Sequence, residues 1–163
     1  MQYRLAEKKD LPAIINFFKL VDIDFVPPLS EREICIDKKI ESLFKHGESF
    51  LLLEKMGRII GVITFSEDTK NSGDAHISYF AIHPSYRDKC LGRNLISECF
   101  NILIGDKSPG VLVETWSENK KALELYTKKG FAVQKVFKCD RGKNLDTIVL
   151  EEPLEGIHIS RKE

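Results

Sequence analysis

The sequence has no long apolar run and no leader-like start. No stretch of apolar residues approaches the roughly 20 that a helix needs to cross a bilayer. Polar sequence follows Met1–Arg4, where a signal peptide would carry its apolar core. We therefore expect no membrane partner and a cytoplasmic location.

The sequence also lacks an excess of charge of either sign. Lysine and arginine together number 25, and so do aspartate and glutamate. A chain without net charge gives no electrostatic reason to expect nucleic acid or an anionic surface as a partner. Any basic site must therefore be local.

Cysteine is scarce and unpaired in the sequence. The chain has four cysteines but no Cys-x-x-Cys pair, and no histidine stands near a cysteine at the spacing of zinc ligands. We expect reduced thiols and no metal. The four are Cys35, Cys90, Cys99 and Cys139.

The chain does contain enough apolar material for one core. Its 163 residues are 42% hydrophobic, which suffices for one well-buried core and not comfortably for two. Because there is no internal repeat, low-complexity segment or linker, we predict one domain over residues 1–152 and a polar tail over 153–163. The sequence leaves a homodimer open.

The spacing of apolar residues predicts a mixed α/β fold in the order β-α-α-β-β-β-α-β-α-β-β. Asp10 is expected to cap the first helix, and Ser30–Glu33 match a capping box that predicts the start of the second. Three consecutive strands are expected to be antiparallel, and a later strand-helix-strand unit parallel. The strands are predicted at 3–5, 50–53, 58–65, 75–82, 111–116, 131–139 and 145–150.

Residues 77–96 combine an apolar strand, a basic turn and the start of a helix. The strand run ends at Pro84, and helical spacing begins at Leu91. A helix start has unpaired N–H groups and partial positive charge, which stabilise a phosphate. Arg87, Lys89 and Arg93 add full charges there. We therefore interpret this turn as an anion site.

A second segment, residues 119–131, places an amide and a phenol on one helix face. Asn119 is expected to cap a short helix that Gly130 ends. Tyr126 follows Asn119 by seven residues, about two helical turns, so both side chains can face one groove.

Both segments resemble motifs of the GNAT superfamily of acyl-CoA-dependent N-acyltransferases, and the order of elements is similar from Tyr3 to Leu150. Residues 119–131 match Asn-x-x-Ala-x-x-x-Tyr-x-x-x-Gly-Phe at every marked position. The basic turn resembles the family's pyrophosphate turn, Arg/Gln-x-x-Gly-x-Gly/Ala. Arg87 and Gly92 fit this pattern, whereas Cys90 replaces its first glycine and Asp88 stands where another glycine is common. The resemblance implies a GNAT-like fold and N-acetyltransferase activity with acetyl-CoA as co-substrate.

The two departures are expected to be tolerated. Backbone amides hold the phosphate, and residues other than glycine also have them, provided that Cys90 needs no positive φ. Cys90 is either a small turn residue or a thiol made reactive by the helix start and its basic neighbours.

The resemblance also implies roles for single residues. In the family the tyrosine hydroxyl protonates the leaving thiolate, so Tyr126 is the candidate acid. A buried aromatic residue with a satisfied hydroxyl is the alternative. The family strand that matches the one ending at Ile82 splays from its neighbour and offers backbone groups to pantetheine. The implied cofactor-binding residues are Phe80, Ala81, Ile82, Arg87, Asp88, Lys89, Cys90, Leu91, Gly92, Arg93, Asn119 and Tyr126.

An amine attacks a thioester only as the free base, so a proton acceptor is also required. His76 is the first candidate, because histone-acetylating members carry a glutamate at the similar position, and histidine suits this task near neutral pH. The alternatives are a histidine on a solvated strand face, Glu114 or Glu67 as the base, and a chain of water molecules.

The acceptor itself is left open. In the family, specificity comes from the loop between the first two helices and from the end strands. Asp22 and Asp24 in that loop would attract a cationic amine, whereas Phe25 with Pro27-Pro28 suits an apolar acceptor. We expect a small-molecule amine or an amine of a protein or peptide. The alternative functions are an acyl-CoA-binding sensor or structural subunit, and a dinucleotide-binding module, which the lack of Gly-x-Gly-x-x-Gly disfavours.

Overall fold

The computed structural model describes residues 1–67, 73–105 and 108–154. Within them, a mixed sheet has the predicted α/β element order. The strands are β1 (Gln2–Leu5), β2 (Ser49–Lys55), β3 (Arg58–Glu67), β4 (Ala75–Ile82), β5 (Gly110–Trp116), β6 (Ala132–Phe137) and β7 (Thr147–Pro153). The helices are α1 (Leu11–Leu20), α2 (Ile36–Lys45), α3 (Leu91–Gly105) and α4 (Lys120–Lys128). The strand order in the sheet is β1-β2-β3-β4-β5-β7-β6.

The chain divides into two compact units, and the division falls within β4 and α3. The first unit contains residues 1–66 and 78–96, and the second contains the described residues of 67–77 and those from 97 onwards. The single domain over 1–152 stays a prediction. From residue 155, the predicted tail lies outside the described residues, as do residues 70–72 of the turn before β4.

The first unit contains the predicted hairpin. β2 pairs antiparallel with both β1 and β3. Met56 and Gly57 join β2 to β3, and both have positive φ values, 50° and 70°. Such a two-residue turn follows the right-handed twist of the strands that it connects. The hairpin prediction is confirmed.

An aromatic cluster fills the core of the first unit. Phe18 of α1 has no exposed surface, and its ring centroid lies 5.6 Å from that of Tyr79 on β4. Phe25, from the loop after α1, lies 6.3 Å from Phe18 and 5.7 Å from Tyr79. Ile14 and Ile40 complete the contact between the two helices and the strands. The loop after α1 is therefore anchored to the core by one ring.

The start of α2 differs from the prediction. The helix begins at Ile36, and residues 29–31 form a separate 3₁₀ turn. Ser30 lies in that turn and does not cap α2; its N–H donates to the Asp22 carboxylate at 2.8 Å, and its hydroxyl donates to the same group. Hydrogen bonds to a charged acceptor are stronger than neutral ones, so they stabilise Ser30 in the turn. The capping-box prediction was therefore wrong.

The start of α1 is at the predicted residue, but for another reason. The Asp10 carboxylate accepts hydrogen bonds from Arg4 at 2.7 and 2.9 Å and from the Glu7 N–H at 2.8 Å, and it does not cap the helix. Arg4 also donates to Glu54 of β2 at 2.7 Å. The Arg4 guanidinium lowers the pKa of Asp10 to about 2. This network ties α1 to the first two strands.

The second unit contains the parallel pairing. Residues Ala75–Ile77 of β4 pair parallel with Val111–Val113 of β5, as predicted for a strand-helix-strand unit. β7 pairs antiparallel with β5 and with β6. Phe131 connects α4 to α3, since its ring lies 5.3 Å from that of Tyr126 and 5.7 Å from that of Phe100.

Candidate functional site

The end of the predicted strand, the basic turn and the start of the helix lie within the first unit, over residues 78–96. The end of β4 is held to β3 by a hydrogen bond of 2.8 Å from the His83 N–H to the Ile60 carbonyl. Pro84–Tyr86 form a 3₁₀ turn, which His83 caps by accepting from the Ser85 N–H. α3 then begins at Leu91, which is buried. The first turn of α3 contains Gly92 and Arg93.

Two residues of this turn adopt the left-handed conformation. Asp88 has a φ of 59° and Cys90 a φ of 58°. These are the two positions where the resembling motif carries glycine, which enters this region without a steric cost. The expected tolerance rested on the condition that Cys90 needs no positive φ, and this condition is not met. Both left-handed residues carry a Cβ atom.

This strain can be measured at Cys90, which is exposed. The Cys90→Gly variant is expected to be more stable by about 0.5–1 kcal/mol, because a left-handed residue with a Cβ costs about 1–2 kcal/mol and the flexible unfolded glycine offsets part of the gain. Urea unfolding measures the difference. Cys90→Ala is the matched control, since it removes the thiol and keeps the Cβ. Equal stabilisation by both substitutions would contradict backbone strain as the cause.

Arg87 braces the turn internally. Its Nε donates to the Ile82 carbonyl at 2.9 Å, and its two terminal nitrogens bind both carboxylate oxygens of Asp24, one of them at 3.0 Å. Asp24 lies in the 3₁₀ turn after α1. The ion pair is about one third exposed at each side chain, so its net stabilisation is modest, up to about 1 kcal/mol. Arg87 thus offers a compensated charge at this site.

Other cations remain at the turn. Lys89 donates to the Ser85 carbonyl at 3.2 Å, and its ammonium lies 5.4 Å from the centre of the Tyr86 ring. On the same ring, the Lys55 ammonium from the end of β2 lies at 5.2 Å. The sequence did not identify Lys55 as part of the turn, because only the hairpin register brings it there.

Gly61 of β3 is a second residue that sequence reasoning missed. A Cβ at this position would lie 2.7 Å from the Cδ1 of Ile82 and 3.2 Å from the Cδ2 of Leu95. The missing side chain therefore makes room for the end of β4 and the start of α3. A glycine inside a β-rich run is a signal for such a close approach.

The second unit contains the asparagine and tyrosine motif. The Asn119 carbonyl oxygen accepts from the Ala122 N–H at 3.4 Å, which confirms the predicted cap of α4. Its amide nitrogen donates to the Thr115 hydroxyl at 3.0 Å, which ties the cap to β5. Contact of Asn119 with a cofactor stays a prediction.

Tyr126 is buried, with 4% of its surface exposed. Burial raises the pKa of its hydroxyl above the ordinary value, and the nearby Cys99 thiol adds to the effect. The phenol therefore stays protonated across the physiological range and can serve as a hydrogen-bond donor. Both interpretations, a catalytic acid and a buried aromatic residue, require this state.

The candidate bases lie in different surroundings. His76 is half-buried on β4, opposite Leu112, and its side chain makes no hydrogen bond or ion pair with the residues that the structure describes. Glu114 is exposed on β5. The side chain of Glu67 lies outside the described residues. The identity of the base stays a prediction.

Metal-binding clusters and membrane-spanning helices are both absent from residues 1–67, 73–105 and 108–154. No cluster of three or more histidine, cysteine, aspartate or glutamate side chains could hold a metal ion in these ranges. No helix in these ranges has the length and apolar character to span a membrane.

Comparison with known proteins adds independent findings. A family model described as the acetyltransferase (GNAT) family matches residues 14–131. The protein YqkA of Bacillus subtilis is 29% identical over 81% of this chain, which spans only 35% of the length of YqkA. A Sodalis glossinidius protein named an acetyltransferase is 25% identical, over 82% of this chain and 89% of its own length. The structure of yncA from Salmonella typhimurium with its cofactor acetyl-CoA superimposes with a TM-score of 0.76 at 21% identity, covering 99% of this chain and 97% of the other.

Proposed function

This chain belongs to the GNAT acetyltransferase family, and we propose that the protein transfers the acetyl group of acetyl-CoA to a primary amine. The free amine adds to the thioester carbonyl and gives a tetrahedral intermediate. Its collapse forms the amide and breaks the C–S bond, and the amine loses one proton while the thiolate gains one. The observation that carries the proposal is the family match over residues 14–131, within which the predicted strand, turn and helix are formed.

We assign pyrophosphate binding to the turn from Arg87 to Arg93. Its backbone amides and the start of α3 favour an anion, and Lys89 adds charge. Arg87 contributes chiefly by holding the turn, because Asp24 and the Ile82 carbonyl engage its guanidinium. Asp88, Cys90, Leu91 and Gly92 supply backbone. We assign pantetheine binding to backbone groups of Phe80, Ala81 and Ile82. A further contact with the cofactor is assigned to Asn119, at the start of α4.

We assign the acid role to Tyr126 and the base role to His76. A neutral phenol can hydrogen-bond the leaving thiolate and lower the barrier to its departure. An imidazole can take the proton of the attacking amine, directly or through water. The acceptor is an amine of a small molecule, a peptide or a protein.

The test is calorimetry with acetyl-CoA, followed by a thiol-release assay over a panel of amines. We expect micromolar binding and a release of thiol that depends on the amine. Lys89→Gln is expected to weaken acetyl-CoA binding by about fivefold, because it removes one cation from the turn. Lys45→Gln, at the exposed end of α2, is the control and should bind as wild type does.

Two outcomes would contradict the proposal in different ways. If the protein does not bind acetyl-CoA with a Kd of tens of micromolar or lower, which corresponds to a binding free energy of about 6 kcal/mol or more, the proposed acetyl transfer is wrong. Binding without thiol release from any amine would favour the alternative function, an acyl-CoA sensor or structural subunit.

A further inference from the structure

A cavity of about 270 Å³ lies in the first unit, beside the start of α2. Its apolar wall consists of Leu29, Ile36 and Ile40, and Tyr79 of β4 closes one side. Two cationic side chains, Arg32 and Lys39, also line it. Small-molecule sites commonly enclose about 300–1,000 Å³, so this cavity suits one small molecule.

Arg32 is placed for recognition of an anion. It is half-buried, and its Nε and one terminal nitrogen donate to the Pro27 carbonyl at 3.3 and 3.1 Å. A guanidinium has five N–H donors, so this carbonyl uses only part of its capacity. Burial raises the pKa of the Tyr79 hydroxyl, and the charge of Arg32 opposes that rise. The guanidinium thus lies close to the phenol that closes the cavity.

The charge of the cavity wall is positive. Within the described part of the chain, no carboxylate lies within ion-pair distance of Arg32 or Lys39. Glu33 lines the cavity as well, but its side chain is exposed, whereas both cations are half-buried. Arg32 and Lys39 would therefore repel a polycation and attract a carboxylate.

The acids that the sequence suggested as attractors of an amine are engaged elsewhere. Asp22 accepts two hydrogen bonds from Ser30, and Asp24 pairs with Arg87. Neither acid lines the cavity. Besides the exposed Glu33, the loop after α1 therefore presents apolar and cationic groups to this space.

We propose that the cavity binds the carboxylate end of the acceptor, and that the acceptor is an amino acid with an apolar side chain. Arg32 would hold the carboxylate through paired N–H donors, which match its geometry, and Lys39 would add charge. The apolar wall would take the side chain. Tyr79 immediately precedes Phe80–Ile82, the residues assigned to pantetheine. The amine of an amino acid bound in the cavity would then point toward the thioester, and in this respect the inference rests on the proposed function.

The test compares an acid with its neutral amide. Protein without acetyl-CoA is titrated by NMR with N-acetyl-L-leucine and with N-acetyl-L-leucinamide. We expect the acid to bind at least about tenfold more tightly than the amide, a difference of about 1.4 kcal/mol. Arg32→Gln is expected to remove this difference, and Arg32→Lys to keep only part of it, because it retains the charge without the planar fork.

Lys38→Gln is the matched control, because Lys38 is exposed on α2 and does not line the cavity. It should leave acid binding unchanged. Circular dichroism checks the fold of each variant, and the comparison of acid and amide on the unchanged protein needs no variant. Equal binding of the two ligands, no binding of the acid at about 10 mM, or full binding by a folded Arg32→Gln protein would overturn the inference.

The proposed function fails by a different measurement. If N-acetyl-L-leucine binds but acetyl-CoA does not, the acetyl-transfer proposal is wrong and the carboxylate site stands. If acetyl-CoA drives thiol release equally well with L-leucine and L-leucinamide, acetyl transfer stands and the carboxylate site is wrong. When both are correct, kcat/KM is at least about tenfold higher for L-leucine, and Arg32→Gln removes that preference.

Discussion

The Tyr126→Phe variant is expected to lose about a hundredfold in kcat, while its Kd for acetyl-CoA changes less than about threefold. The substitution removes only the hydroxyl, so the buried ring and its contact with Phe131 persist. The loss in rate follows because the thiolate would leave without a hydrogen-bond donor. Steady-state thiol release gives kcat, and calorimetry gives Kd.

Tyr3→Phe is the matched control, since it removes a phenolic hydroxyl from β1. It should retain wild-type kcat. A Tyr126→Phe enzyme whose turnover is within about twofold of wild type would assign Tyr126 to the packing of α4 instead of the acid role.

The pH profile adds a check on the same assignment. Burial raises the pKa of the Tyr126 hydroxyl above the ordinary pKa of tyrosine. The phenol therefore remains protonated until the pH exceeds that ordinary pKa. The wild-type enzyme should therefore show no alkaline loss of kcat from Tyr126 below about pH 10. If His76 is the base, His76→Ala should lower the rate and change its dependence on pH.

The Phe18→Ala variant is expected to lose about 3–5 kcal/mol of unfolding free energy. Phe18 is completely buried, and its ring contacts those of Phe17, Phe25 and Tyr79. Removal leaves a cavity and takes away the ring against which Phe25 of the loop after α1 and Tyr79 of β4 pack. Since small proteins have about 5–15 kcal/mol in total, the loss is a large share. Urea unfolding measures it.

Phe18→Leu is the control, because it keeps most of the apolar volume. It should cost less than about 1.5 kcal/mol. If Phe18→Ala cost no more than the leucine substitution, the aromatic cluster would not be the main stabilising contact of the first unit. The alanine variant should also weaken binding of N-acetyl-L-leucine, because Tyr79 would lose the ring against which it packs.

Periodicity was sufficient to predict most elements. β4 alternates between buried and half-buried residues from Ala75 to Tyr79, and the apolar stripe of α3 is buried at Leu95, Cys99 and Leu103. These signals are local, because each residue's burial follows from its place in the repeat. The β2–β3 hairpin and the Asn119 cap were predictable for the same reason.

Local patterns failed where a distant side chain competed for a group. Ser30 donates its hydrogen bonds to Asp22 within a 3₁₀ turn, and the Asp10 carboxylate accepts from Arg4 and Glu7 instead of from the first turn of α1. Neither Asp22 nor Arg4 can be identified from spacing along the chain, because the folded backbone brings it there. Capping motifs therefore located the starts of α1 and α4 correctly and misplaced that of α2.

For the site, the motifs located the turn and α4, but not the conformation of the turn or the cavity. A left-handed φ is unusual for cysteine, so the residue type argued against this conformation at Cys90, whereas aspartate adopts it more readily. The cavity depends on the late start of α2, which leaves Arg32 outside the helix. An early helix, as the capping box implied, would have placed Arg32 within a continuous helical face.

The ion pair between Asp24 and Arg87 has an evolutionary consequence. The two residues are 63 positions apart, since Asp24 lies in the 3₁₀ turn after α1 and Arg87 follows the 3₁₀ turn before α3. Loss of Arg87 would leave a partly buried carboxylate uncompensated, and loss of Asp24 would leave an arginine without its brace. Selection should therefore act on them as one unit, with paired or compensating replacements among close relatives. An alignment in which the two positions vary independently would contradict that coupling. Sequence change in the loop after α1 is thus limited, at Asp24, by the turn before α3.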